Sequence, residues 1–181
     1  MSRLPLVDPA TATADRKAVL DDIHGAFGTT PNMFKAVANS PAALQMMWGA
    51  FGALGGGTLS PRVGEQVAVA IADRNRCEYC LAAHTALGRK AGASADEMAR
   101  AQAGESEDPA TAAALAFALK LVEDRGQVSD ADVQRLRDHG FDDGQVMELL
   151  AHVALNLFTN YTNVAFDVPV DFPAVQLRPR G

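Results

Sequence analysis

Glu65, Cys77, Cys80 and His84 are the residues whose types and spacing can do chemistry. They lie in the segment EQVAVAIADRNRCEYCLAAH, which holds the only two cysteines of the chain. On a helix advancing about 100° per residue, Cys77, Cys80 and His84 fall within roughly 60° of one another. Glu65 needs a different geometry, because one continuous helix would place it about 18 Å from Cys77. A break near Arg74 and Asn75 removes that problem. An antiparallel helix hairpin turning there pairs residue 65 with residue 84, and predicts a line of contacts from Glu65 through His84 and Cys80 to Cys77.

That order permits thiol redox chemistry. The thiolate is the nucleophile, and a cysteine of ordinary pKa, about 8.5, is mostly protonated at neutral pH. A place in the first turns of a helix favours the thiolate through the helix dipole. His84 can take the Cys80 proton, and Glu65 can orient and stabilise the imidazolium. Cys80 is then expected to attack a peroxide oxygen and become a sulfenic acid, which Cys77 converts to a disulfide. Return to the dithiol needs an external thiol. Three alternatives stand beside this reading. Zinc could take Cys77, Cys80 and His84 with Glu65 as fourth ligand, although no second C-x-x-C or histidine pair completes a closed site. Haem attachment wants histidine where Leu81 stands. The pair could also be two inert buried thiols beside a satisfied core histidine.

The elements that must position these residues read as helices. Alanine is abundant, aromatic residues are 6% of the chain, and alternating patterns are scarce. DRKAVLDDIHGAFG reads as a helix stopped at Gly28, and PNMFKAVANS as one opening with Pro31 in its first turn. PAALQMMWGAFGAL is closed by Gly55 to Gly57, after which Ser60 caps the helix carrying Glu65. Asn75 and Glu78 resemble a capping box opening the next helix at Cys77, which runs to about Lys90. Ser94 or Asp96, Asp108 and the segments SDADVQRLRDHG and DDGQVMELLAHVALNLFTNYTNVAF supply the remaining helices. The tail of about residues 167–181 has three prolines and is expected to be extended. ELLAHVALNLFTNYTNVAFD can be laid on EQVAVAIADRNRCEYCLAAH without gaps, so that Glu148 falls on Glu65. This is either a degenerate repeat or two unrelated helical stretches.

E-x11-C-x-x-C-x-x-x-H resembles the core motif of alkylhydroperoxidase AhpD-like proteins, of the carboxymuconolactone decarboxylase superfamily. The resemblance is specific over about residues 60–92. It extends more loosely to NMFKAVANSP and TNVAFDVPVDFP, which are similar to the peroxidase-related branch. It implies a single AhpD-like all-helical domain over 1–181, thiol peroxidase activity and a homo-oligomer, a trimer or a hexamer. It also implies Cys80 as the attacking thiol, Cys77 as the resolving one, and Glu65 and His84 as the proton relay. The implied reductant is a lipoylated or other carrier protein. Tyr79 departs from the pattern, since well-described members have histidine there. The C-x-x-C pair counts against lactone decarboxylation, which stays as an alternative activity.

Bulk properties bound the rest. The 181 residues are 48% hydrophobic with net charge −6, enough for a core and unsuited to nucleic acid or an anionic membrane. No apolar run approaches the roughly 20 residues of a spanning helix, and the first residues lack the apolar region of a signal peptide. A cytoplasmic protein without metal or organic cofactor is expected. Met46, Met47, Trp48 and Phe51 are expected to pack in the core or a subunit interface, with some walling an apolar pocket as the alternative. His24, His139 and His152 are expected to be structural or solvated. Asn160, Asn163 and Asp167 are expected to bond within the core or an interface without a catalytic part.

Overall fold

The computed structural model describes residues 2–179. All regular structure among them is helical: α1 (Ala14–Phe27), α2 (Asn32–Val37), α3 (Pro41–Gly55), α4 (Pro61–Arg74), α5 (Glu78–Lys90), α6 (Ala95–Ala103), α7 (Pro109–Glu123), α8 (Asp130–Asp138) and α9 (Asp143–Ala165). The expected all-α class is therefore met. Local chemistry sets most of these boundaries. Gly28, at φ 73°, ends α1 in the left-handed conformation that glycine adopts at no steric cost. Capping boxes open α6 at Ser94 and Glu97, α8 at Ser129 and Asp132, and α9 at Asp142 and Gln145. Pro31 stands one residue outside its expected place, as the cap of α2.

α4 is the centre of the molecule. Its residues from Gln66 to Ala72 are all buried, and α5, α6, α7 and α9 pack around it. A helix enclosed on every side has no polar face, which explains the small apolar run VAVAIA. Val67, Val69 and Ile71 are fully buried, each stabilising the fold by about 1.5–3 kcal/mol relative to exposure. Ser60 precedes α4 but its side chain caps nothing. The Glu148 carboxylate of α9 instead pins the loop that leads into α4, accepting the N–H groups of Thr58 and Leu59, each at 2.8 Å.

α4 turns into α5 through Asn75 and Arg76. Arg76 adopts φ 59°, and the Cys77 N–H reaches the Ala72 carbonyl at 2.9 Å. The helix hairpin expected from the Glu65 spacing is thus present, but its cap differs. Cys77 itself caps α5, its sulfur accepting the Cys80 N–H at 3.2 Å, while the Asn75 side chain donates to Asn160 at 3.1 Å. The cap is a sulfur because the tight turn leaves Asn75 two residues short of the helix start.

α9 runs unbroken for 23 residues, so it has no counterpart of the turn between α4 and α5. The gapless alignment of the two segments is therefore not a repeated helix pair. The chain after α9 is extended and lies across the α2 and α4–α5 ends of the molecule. Asp171 accepts the Asn32 N–H at 2.8 Å, and Asp73 accepts the Arg178 N–H at 2.9 Å and the Gln102 amide at 2.8 Å. No helix among the described residues is long and apolar enough to cross a membrane.

Candidate active site

Three helices meet at the thiols. α5 carries Cys77 at its cap and Cys80 and His84 on its inner face; α4 brings Glu65 alongside; α9 lays a row of asparagines over the sulfurs. Glu65 and His84 are joined by a hydrogen bond of 2.7 Å between Oε2 and Nδ1, with both side chains largely shielded. The pairing of residue 65 with residue 84 is therefore as the hairpin predicts, and it leaves Nε2 of His84 as the ring atom free to exchange a proton.

The two thiols are reduced, buried and hydrogen-bonded to each other, Sγ to Sγ, at 2.6 Å. They are not equivalent. Burial pushes the Cys80 thiol well above its ordinary pKa, and the hydrogen bond and charge of Cys77 add to that. The Cys77 thiol is held below its ordinary value, chiefly by the hydrogen bond from Cys80 and then by the backbone N–H of Cys80. The surroundings thus favour loss of the first proton from Cys77 and hold the Cys80 proton more tightly. No hydrogen bond joins His84 to either sulfur among the described residues, so the expected contact from His84 to Cys80 is replaced by the contact from Cys77. His84 and Cys80 instead face a common space, a narrow apolar chamber of about 40 Å³ walled also by Phe34, Phe51, Tyr79 and Phe172.

Tyr79 is a wall of that chamber. Its hydroxyl accepts the Met33 N–H at 3.2 Å and its ring meets Phe172 edge-on at 5.7 Å. Burial drives the phenol pKa far upward, so Tyr79 stays protonated. The chamber adjoins a larger cavity of about 340 Å³, with which it shares Phe27, Phe51, His84 and Leu87. Trp48 and Leu54 give this cavity apolar walls, while Glu65, His84, His152 and Asn156 make its polar end. Trp48 and Phe51 thus wall a pocket, Met47 is fully buried in the core, and Met46 is exposed.

Reading the sequence missed His152 and Asn163. His152 is a half-buried neighbour of the Glu65–His84 pair, and desolvation lowers its pKa. Asn163 donates from Nδ2 to Cys80 Sγ at 3.2 Å and is 4% exposed. His152 has no acidic or thiol partner at a diagnostic spacing in sequence, whereas the bonding within the core expected of Asn163 is present, with Cys80 as its acceptor. The available signal was their spacing with each other: His152, Asn156, Asn160 and Asn163 recur on one face of an otherwise apolar helix. That face is buried, and it leaves Asn156 Oδ1, Asn160 Nδ2 and Asn163 Oδ1 without hydrogen-bond partners, an uncommon cluster in a native interior. The zinc alternative finds no support in the arrangement, since no three histidine, cysteine, aspartate or glutamate side chains among the described residues are grouped to hold a metal ion.

An all-helical fold that sets a C-x-x-C at a helix start against a Glu–His pair defines a known class. The model of the carboxymuconolactone decarboxylase family matches residues 41–124, which include all four motif residues and exclude α9. This match and the likeness of fold support an assignment to the AhpD-like carboxymuconolactone decarboxylase superfamily. It is similar to an alkylhydroperoxidase AhpD core, an uncharacterized peroxidase-related protein from Ralstonia eutropha JMP134, with TM-score 0.83, 26% identity and coverage of 94% of this chain and 92% of that one. An uncharacterized peroxidase-related protein from Silicibacter sp. TM1040 gives TM-score 0.82 at 24% identity, over 93% and 91% of the two chains. The debrominase Bmp8 bound to 2,3,4-tribromopyrrole shares the fold at 18% identity, with TM-score 0.77 and coverage of 94% of each chain. No match was found among curated protein sequences.

Proposed function

We propose that the protein is a thiol-dependent peroxidase that reduces alkyl hydroperoxides or hydrogen peroxide through a Cys77–Cys80 dithiol and disulfide cycle. The observation that carries this reading is the shared chamber of Cys80 and His84, with Glu65 bonded to the far side of the imidazole. A peroxide in the chamber meets the sulfur at one oxygen and the ring Nε2 at the other. The proton between the sulfurs passes from Cys80 to Cys77, and the charge moves onto Cys80 under the Asn163 N–H. Cys80 attacks, the O–O bond breaks, and His84 protonates the departing alkoxide. Cys77 then displaces hydroxide from the Cys80 sulfenic acid, closing the disulfide. The adjoining apolar cavity suits an alkyl hydroperoxide.

The test is a stopped-flow titration of reduced protein with an alkyl hydroperoxide while free thiols are counted. Two thiols per chain are expected to disappear and to return with a dithiol. Cys80→Ser abolishes consumption, Cys77→Ser stops at a sulfenic acid, and Glu65→Gln and His84→Ala slow the reaction by about 10²–10⁴. Normal turnover by Cys80→Ser, or activity surviving alkylation of both thiols, would overturn the reading and favour a lactone-processing enzyme of the superfamily.

The protein is further proposed to act as a homo-oligomer. Met147, Leu150, Tyr161 and Val164 are exposed at helical spacing along α9, an apolar stripe of the kind that copies of a chain bury against one another. An external thiol supplies the electrons, and a cytoplasmic location is proposed from the unpaired, reduced thiols and the acidic composition.

A further inference from the structure

The two sulfurs open onto different spaces. Cys80 faces the apolar chamber on the side of His84 and Phe51. Cys77 lines a separate cleft of about 320 Å³ that shares with the chamber only Tyr79, which lies between the two cysteines in sequence. The cleft is polar where the chamber is apolar: Arg76, Glu78, Asn163 and Asp167 line it, with Val170 at its rim. We propose that this cleft is the reductant's binding site, where a small thiol or dithiol attacks Cys77 Sγ of the oxidised protein while peroxide is handled on the opposite face by Cys80. The inference rests on the dithiol cycle proposed above, and locates its second half.

Three observations support it. Cys77, 1% exposed, lies in the wall of the cleft, and Cys80 does not line it. Asn163 spans both events: its Nδ2 donates to Cys80 Sγ, and its Oδ1, buried and without a partner, belongs to a residue of the cleft wall. An incoming S–H can donate to that oxygen, and the N–H stabilises the thiolate leaving at Cys80. The charges of Arg76, Glu78 and Asp167 sum to one negative charge, which favours a neutral or cationic thiol over an anionic one.

The step balances within the chain and one dithiol. A reductant thiolate attacks Cys77 Sγ, the Cys77–Cys80 bond breaks, and its electron pair leaves with Cys80 as thiolate. The second thiol of the reductant attacks its own sulfur in the mixed disulfide and releases Cys77. The reductant is oxidised to a disulfide and loses two protons, and the protein gains two electrons.

The experiment separates the half-reactions. The disulfide is made with diamide, so that it forms whether or not peroxide is a substrate, and its reduction by dithiothreitol is followed in wild type, Val170→Trp and Gly52→Leu. Gly52 lines the large apolar cavity, and a Cβ there meets nothing within 4 Å. Val170→Trp is expected to slow reduction about tenfold more than it slows oxidation by cumene hydroperoxide, and Gly52→Leu to show the reverse bias. In single-cysteine variants, Cys77 in Cys80→Ser is expected to form a mixed disulfide with hydroxyethyl disulfide at least about tenfold faster than Cys80 in Cys77→Ser. Equal exchange at the two sulfurs, or reduction slowed by Gly52→Leu and not by Val170→Trp, would overturn the cleft assignment. A protein inert to hydroperoxide that still shows the reduction bias would overturn only the peroxidase reading.

Discussion

Asn163 shows how much of the site's chemistry hangs on one amide. It reaches Cys80 from α9, and a hydrogen bond to an ionised sulfur contributes about 1.5–3 kcal/mol. The Asn163 amide lowers the pKa of both thiols, so Asn163→Ala shifts the ionisation of the pair upward. The expected outcome is an alkaline displacement of the pH profile for iodoacetamide alkylation by about one unit or more, with a matching loss of rate at neutral pH. An unchanged profile would mean that the neighbouring thiol alone sets the charge. In the proposed mechanism Glu65 and His84 differ from Asn163 in kind: they act on the oxygen that leaves, so their loss should lower peroxide consumption more than alkylation.

At the scale of elements, the distance between α4 and α5 sets the relay. Gly88 of α5 lies where the helices come closest; a Cβ there would stand 2.4 Å from the Met98 methyl of α6 and 3.3 Å from Glu65 Cβ. The methionine end can swing aside, but the glutamate stem must shift with its helix. Gly88→Ala is therefore expected to cost about 1–3 kcal/mol of stability and to lower peroxide turnover by disturbing the Glu65–His84 bond. Chemical unfolding and the stopped-flow assay measure the two effects separately. Helix starts and stops were readable beforehand because caps are local chemistry: Ser94, Asp108 and Gly28 act within a few residues of themselves. Glu65 and His84 were readable because a hairpin of known period joins them. Asn163 and His152 were not, because their partners lie on other elements and only packing brings them together. Cys77 was placed correctly and its role as cap was not, since Asn75 is the commoner capping residue and only the left-handed turn at Arg76 disqualifies it.

For the whole molecule, the exposed stripe on α9 and the thiols beneath it make assembly and activity neighbours. Tyr161 is 59% exposed near the C-terminal end of that stripe, and a charge there has no place in an apolar contact. Tyr161→Glu is expected to reduce the particle to monomers in sedimentation velocity with its helical spectrum preserved. A wild-type chain that sediments as a monomer at micromolar concentration would remove the oligomer proposal.

The extended segment after α9 has a consequence in time. The amide over Cys80 lies 83 residues beyond it in the chain, and the carbonyl that holds Arg76 lies 102 residues beyond that arginine. A ribosome adding about 5–20 residues per second leaves the thiols without this cover for roughly 5–20 s after they are made. If the protein is the peroxidase proposed above, a newborn chain exposes its thiols to its own substrate before α9 and the tail cover them, and maturation becomes a race against oxidation.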